Sequence, residues 1–97
     1  MKEKESENRK RKKAVALRYT QYEEAPTVIA KGKGMIAESI VEKAKENGIP
    51  IQDDPSLVEL LAKLNLHEEI PEDLYKAVAE VFALIYKLDK EYGENKG

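Results

Sequence analysis

The chain has no cysteine and no tryptophan, and only one phenylalanine and one histidine among its 97 residues. Without cysteine there is neither a disulfide nor a thiolate ligand, so packing alone must hold the fold. A single imidazole, His67, with scattered carboxylates does not supply the nitrogen and sulfur set of a zinc site. Nucleophilic catalysis is equally short of parts. Ser6 lies in a charged segment, Ser39 on a helix face and Ser56 at a helix start, and none has a base placed beside it by the pattern. His67 falls in a polar turn and reads as an exposed structural residue. No apolar run is long enough to span a membrane, and none follows the opening Met1-Lys-Glu-Lys-Glu-Ser-Glu, which reads as a cytoplasmic protein without a signal peptide. These absences predict a protein that is not an enzyme, with no metal, no cofactor and no small-molecule substrate.

What is abundant is charge, 37% of the sequence, and it is unevenly placed. Residues 1–13 hold seven Lys or Arg against three Glu, a net of +4, whereas the rest carries a net of −6. The first segment reads as a charged, disordered tail, and residues 14–92 as one domain with a single modest core. The run from Arg9 to Lys13 offers an alternative function, an adaptor for nucleic acid or an anionic surface. Against nucleic acid as a partner stand the acidic body and the lack of aromatic or base-reading residues near the run.

The most informative stretch is Thr27 to Asp53. Thr27-Val-Ile-Ala30 is β-prone, Lys31-Gly-Lys-Gly34 forms a strand-to-helix turn, and Met35, Ile36, Ala37, Ile40, Val41 and Ala44 recur at helical spacing. Asn47-Gly48 supplies a stop, and Ile49-Pro50-Ile51 reads as a further strand, which together predict a β-α-β unit. With Ala14-Val-Ala-Leu-Arg-Tyr19 as another strand, the fold class is α/β, a small mixed sheet of about three strands with two more helices packed around it. Asp54 is placed to cap the first of these, with Pro55 at its first turn, and Pro71 opens the second. An Asp53–Asp54 pair as a catalytic or Mg²⁺ site lacks a third ligand.

The last helix, Leu74 to Leu88, has more apolar surface than one buried face requires. Leu74, Val78, Val81, Phe82, Ile85 and Leu88 form its core stripe, while Tyr75, Ala79, Phe82 and Tyr86 form a flank beside it. That flank is either covered by the Tyr22–Pro26 loop or left open as a docking surface. The Lys31-Gly-Lys-Gly34 turn could offer Lys31 and Lys33 to an anion, although it lacks the spacing of a phosphate loop.

Four ordered blocks, Ala14-Val-Ala-Leu-Arg-Tyr19, Ala25-Pro-Thr-Val-Ile-Ala-Lys-Gly-Lys-Gly-Met-Ile-Ala37, Glu46-Asn-Gly-Ile-Pro-Ile51 and Ile70-Pro-Glu-Asp-Leu-Tyr-Lys-Ala-Val-Ala-Glu-Val-Phe82, resemble the cytoplasmic C-terminal domain of the FlhB/YscU/EscU family, the export switch of flagellar and injectisome type III secretion. The resemblance covers residues 14–88. It implies a small mixed sheet with surrounding helices, and a binding module whose partners are export-gate components and flagellar export substrates. Relatives of this kind carry a membrane region ahead of the module, so a free-standing, non-spanning copy is expected here, able to be recruited to the membrane export gate. The family's substrate patch maps onto Ala25, Pro26, Ala79 and Phe82, with Phe82 in place of a leucine, and Tyr75 and Tyr86 extend it along the flank. The family also has a self-cleaving Asn-Pro-Thr-His motif one residue before this first strand. Arg9, Lys10, Arg11 and Lys12 stand at the matching positions, so no side-chain amide is present there to attack its own carbonyl. Prolonged incubation of the purified chain should therefore leave one intact mass; a fragment ending at Arg9 would contradict this.

Overall fold

Alternation of side chains along the first strand sets the architecture. In the computed structural model, which describes residues 12–20 and 22–83, β1 (Lys13–Arg18) pairs antiparallel with β2 (Thr27–Lys33). The register sets Lys13 opposite Lys33, Ala14 opposite Gly32, Val15 opposite Lys31 and Ala16 opposite Ala30. It then slips by one residue, so that Leu17 faces Val28 and Ile29 has no opposite number, a β-bulge. Because directly opposed residues share a face, Ala14, Ala16, Ala30 and Gly32 make one side of the ribbon almost free of side-chain bulk. Val15, Leu17, Val28 and Lys31 form the other side.

The small-residue side is where α1 (Met35–Glu46) fits. It packs against both strands and buries Ala37 completely. The approach is so close at Gly32 that a Cβ there would lie 2.8 Å from Ile36 Cβ, so this glycine is required for its lack of volume. Gly34 is required for a different reason: at φ 62° and ψ −128° it turns the chain from strand into helix through a region that side chains exclude. The far end of α1 closes as the sequence predicts. Gly48 N donates to Lys45 O and Ile49 N to Ala44 O, with Gly48 at φ 66°, which is a Schellman cap.

That cap also accounts for a correction. Residues 49–51 form no strand, and the sheet among the described residues has two strands and not three, so the β-α-β unit is not closed. Ile49 has spent its N–H on the helix end and Pro50 has none to offer, which leaves too few donors for a ladder. Ile49 and Ile51 accordingly remain 55% and 47% exposed. The α/β class stands, as two antiparallel strands with three helices.

The core lies on the side of Val15 and Leu17. Here α2 (Pro55–Leu61) contributes Leu57 and Leu61, opened by Asp54, whose Oδ1 accepts from Leu57 N at 3.1 Å. A 3-10 turn (Glu72–Leu74) leads into α3, described over residues 75–83, which adds Val78, with Ala77, Val81 and Phe82 packed around it. Ala25 and Ile70 complete the buried cluster. Between the helices, residues 67–70 run beside β2. His67 N donates to Val28 O, Val28 N to Glu68 O and Ile70 N to Pro26 O. His67 sits at φ 67° in the third position of an Asn65–Glu68 turn, a left-handed conformation that histidine adopts more readily than most residues.

Lys31 points into this layer, and its ammonium donates to Ala62 O at 3.2 Å and Leu64 O at 2.6 Å. It thus neutralises carbonyls just past the end of α2, where a cation is favoured. Lys13 adds an exposed ion pair to Glu59 at 2.9 Å.

Two substitutions test this packing. Gly32→Ala should destabilise the fold by about 1–3 kcal/mol through overpacking against Ile36, read as a lower denaturation midpoint at constant m-value. Lys31→Met keeps the aliphatic stem but leaves two carbonyls without their cation, a loss of about 1–3 kcal/mol; a midpoint equal to wild type would show that these hydrogen bonds contribute nothing net.

Candidate functional site

Where β1 ends, the alternation that puts Val15 and Leu17 into the core carries Tyr19 to the same side. Its ring meets Phe82 of α3, with centroids 5.8 Å apart and planes inclined at 44°. Phe82 also packs on the buried cluster, so the pair joins the core to the surface. From there an apolar groove of about 440 Å³ opens between two walls. One wall is α3, through Tyr75, Val78, Ala79, Phe82 and Ala83; the other is Tyr19, Glu24 and Pro26, with Ile70 also lining the groove.

The described residues of the loop between the strands do not close it. Arg18 Nη2 holds Glu23 Oε1 at 3.1 Å and Glu23 N donates to Thr20 O, a local turn that leaves Tyr22 88% exposed. Tyr22 therefore covers nothing. Tyr19 and Tyr75 stay 50% and 43% exposed, each presenting an apolar ring with a hydroxyl that water can reach. Glu24 is the one ionisable carboxylate among the lining residues, at the rim.

Of the residues picked out by sequence, Pro26, Tyr75, Ala79 and Phe82 are brought together around this groove. Ala25 is not a surface residue: at 1% exposure it belongs to the core beneath, and Pro26 beside it is buried too while still bordering the groove. Tyr86 lies outside the described residues, as do Arg9, Lys10 and Arg11 and most of the segment read as a tail. Sequence reasoning missed Tyr19. The signal was its parity with Val15 and Leu17, one step past the end of the strand.

The anion expectation meets a different geometry. Lys31 and Lys33 line a shallow polar cleft of about 380 Å³ with Lys13, Glu59 and Lys63. Yet the Lys31 ammonium is engaged by two carbonyls and Lys13 by Glu59, which leaves Lys33 and Lys63 as exposed surface cations there. Asp54 is committed to its cap, and no group of three or more His, Cys, Asp or Glu able to hold a metal occurs among the described residues. None of the helices described is long and apolar enough to cross a membrane.

Comparison with known proteins agrees with this architecture. The uncharacterized protein YlqH of Bacillus subtilis is 51% identical over 86 residues, covering 88% of this chain and 92% of its own length. The flagellar biosynthetic protein FlhB of Aquifex aeolicus is 43% identical over 82 residues, which is 81% of this chain but only 23% of that protein. The chain thus spans less than a quarter of that FlhB. Among solved structures, the cytoplasmic domain of FlhB from Shewanella putrefaciens superposes with a TM-score of 0.77 at 37% identity, covering 88% of this chain and 70% of that one. A family model described as the FlhB HrpN YscU SpaS Family matches residues 11–85, and with three quarters of its length inside that match the chain belongs to this family.

Proposed function

We propose that this chain is a cytoplasmic, non-cleaving protein-binding module of the flagellar or type III export apparatus, and that it docks export substrates or export-gate components in the groove between α3 and the Pro26 corner. The observation that carries the reading is the apolar floor: Tyr19, Pro26, Tyr75, Ala79 and Phe82 line one concave surface that no loop among the described residues covers. Apolar surface left open beside amphipathic tyrosines is the composition of a peptide-binding site. An extended or helical segment with two or three apolar side chains would fill the groove, and the Glu24 carboxylate would favour a basic residue at its rim. Membership of the family supplies the setting, since the relatives named as flagellar biosynthetic proteins carry this domain within a longer chain.

The reading as a non-cleaving module rests on residues 9–12, where the basic run replaces the asparagine that the chemistry needs. A basic-tail adaptor remains the competing function, and salt separates it from groove binding. Contacts with exposed lysines are screened over a few ångströms at high ionic strength, whereas burial of apolar side chains is not.

Ala79 is exposed, so Ala79→Asp places a charge in the groove without removing core volume. Captured from lysate of its own organism, the wild-type chain should retain export-apparatus proteins at both physiological and high salt. The variant should lose them by about tenfold or more, equivalent to about 1.4 kcal/mol, with its melting temperature unchanged. Capture that survives Ala79→Asp but disappears on deleting residues 1–13 would overturn the groove in favour of the tail.

A further inference from the structure

Four hydrogen bonds hold the end of α1. Asn47 donates twice to Lys43 O, from its main-chain N at 3.1 Å and from its side-chain Nδ2 at 2.8 Å. Gly48 N donates to Lys45 O at 3.2 Å and Ile49 N to Ala44 O at 2.8 Å. Asn47 and Gly48 are nevertheless both exposed, so water reaches the dipeptide from outside.

The cap that needs this glycine also creates a reactive pair. An asparagine amide is lost most readily ahead of glycine, which puts no side chain in the way of its own nitrogen. Gly48 N, giving up its proton, bonds to Asn47 Cγ and expels Nδ2 as ammonia, which leaves a five-membered succinimide. Water then opens the ring. Opening at Cγ gives aspartate and opening at the main-chain carbonyl gives isoaspartate, so amide and water become acid and ammonia. The chain stays continuous, which separates this reaction from the scission for which residues 9–12 have no asparagine.

We propose that Asn47-Gly48 is a deamidation site of this chain, held unreactive by the α1 cap and released when the cap opens. Ring closure requires Gly48 N to eclipse Asn47 Cβ about the Cα–C bond. At ψ 8° it nearly eclipses the nitrogen of Asn47 instead, and it cannot lie over both substituents of one tetrahedral carbon. The Gly48 proton is engaged by Lys45 O, and the Nδ2 bond turns the side-chain amide back along the helix. These restraints are released together when the last turn frays, and helix ends open at low cost. The products then keep the cap open. Aspartate at 47 loses the Nδ2 donor and sets a carboxylate at the negative end of the helix. Isoaspartate routes the main chain through Cβ and shifts the Gly48 and Ile49 N–H groups off Lys45 O and Ala44 O. The other asparagines, Asn8, Asn65 and Asn95, precede Arg9, Leu66 and Lys96, whose side chains hinder the same attack, and they serve as internal controls.

The full chain is incubated at mildly alkaline pH, folded and in urea, beside a capped Lys-Glu-Asn-Gly-Ile-Pro peptide. Acid formation is located by fragmenting the chain in a mass spectrometer, and isoaspartate by labelling with an isoaspartyl methyltransferase. In urea Asn47 should convert at the peptide's rate and ahead of the other three asparagines. In the folded chain it should be slower by about tenfold or more, a factor set by cap opening. Ile49→Pro, which removes the donor to Ala44 O, should bring the folded rate back towards that of the peptide. A second measurement does not depend on how well that variant folds: in Asn47→Asp, amide exchange at Ile49 should quicken severalfold while Val28 is unchanged. The proposal is overturned if the folded chain converts as fast as the peptide, if another asparagine converts first in urea, if folded Ile49→Pro is no faster than wild type, or if exchange at Ile49 is unaltered in Asn47→Asp.

Discussion

The register of β1 on β2 is the constraint from which the other features follow. Pairing Val15 with Lys31 and Ala14 with Gly32 sorts the ribbon into a bulky side and a bare one. The bare side admits α1 so closely that Gly32 has no room for a methyl group, while the bulky side receives α2 and α3. A slip of one residue would exchange the two sides, placing Val15 and Leu17 under α1 and exposing alanines to the core. The bulge at Ile29 acts within the same constraint. It absorbs one residue of β2 so that Leu17 and Val28 lie opposite each other, and Val28 is then fully buried with its backbone bonded to residues 67 and 68.

Much of this was legible in the sequence because the signals were local. Asp54 followed by Pro55 specifies a helix start through one hydrogen bond and one fixed φ, and Asn47-Gly48 specifies a stop through a left-handed residue. The misread strand at 49–51 shows where locality fails. Ile49-Pro50-Ile51 has β-branched residues in plenty, but whether a strand forms depends on free donors, and the one N–H of Ile49 had already been committed to Ala44 O. The turn at His67 was hidden for a related reason. A left-handed residue there would be announced by glycine or asparagine, whereas histidine accepts the strain because its N–H bonds to Val28 O and fixes the segment against β2.

The candidate site was partly readable for a third reason. Tyr75, Ala79 and Phe82 share a flank by helical spacing, so their proximity needed no tertiary information. What spacing could not supply was the opposite wall. Ala25 and Pro26 are adjacent in sequence but separate in role, since the alanine is enclosed by Leu57, Leu61, Ile70 and Val78 while the proline faces the groove. Both residues of the dipeptide are buried, and only the packed structure says which of them also borders the groove. Tyr19 depended on parity carried beyond the end of a strand, where alternation is usually not assumed to continue.

The openness of the groove is itself a consequence of economy in a small domain. With 97 residues the chain has few apolar side chains to enclose a core, and the Tyr19–Phe82 contact closes one end of it with rings that tolerate water on one face. Aliphatic residues in those positions would need a cover. The described residues of the interstrand loop do not provide one, because the Arg18–Glu23 pair folds the loop back on itself and sends Tyr22 into solvent. The apolar floor is therefore tolerated by the use of tyrosine at its margins, and the same amphipathic rings that make an uncovered floor stable also make it able to receive an apolar side chain from another molecule.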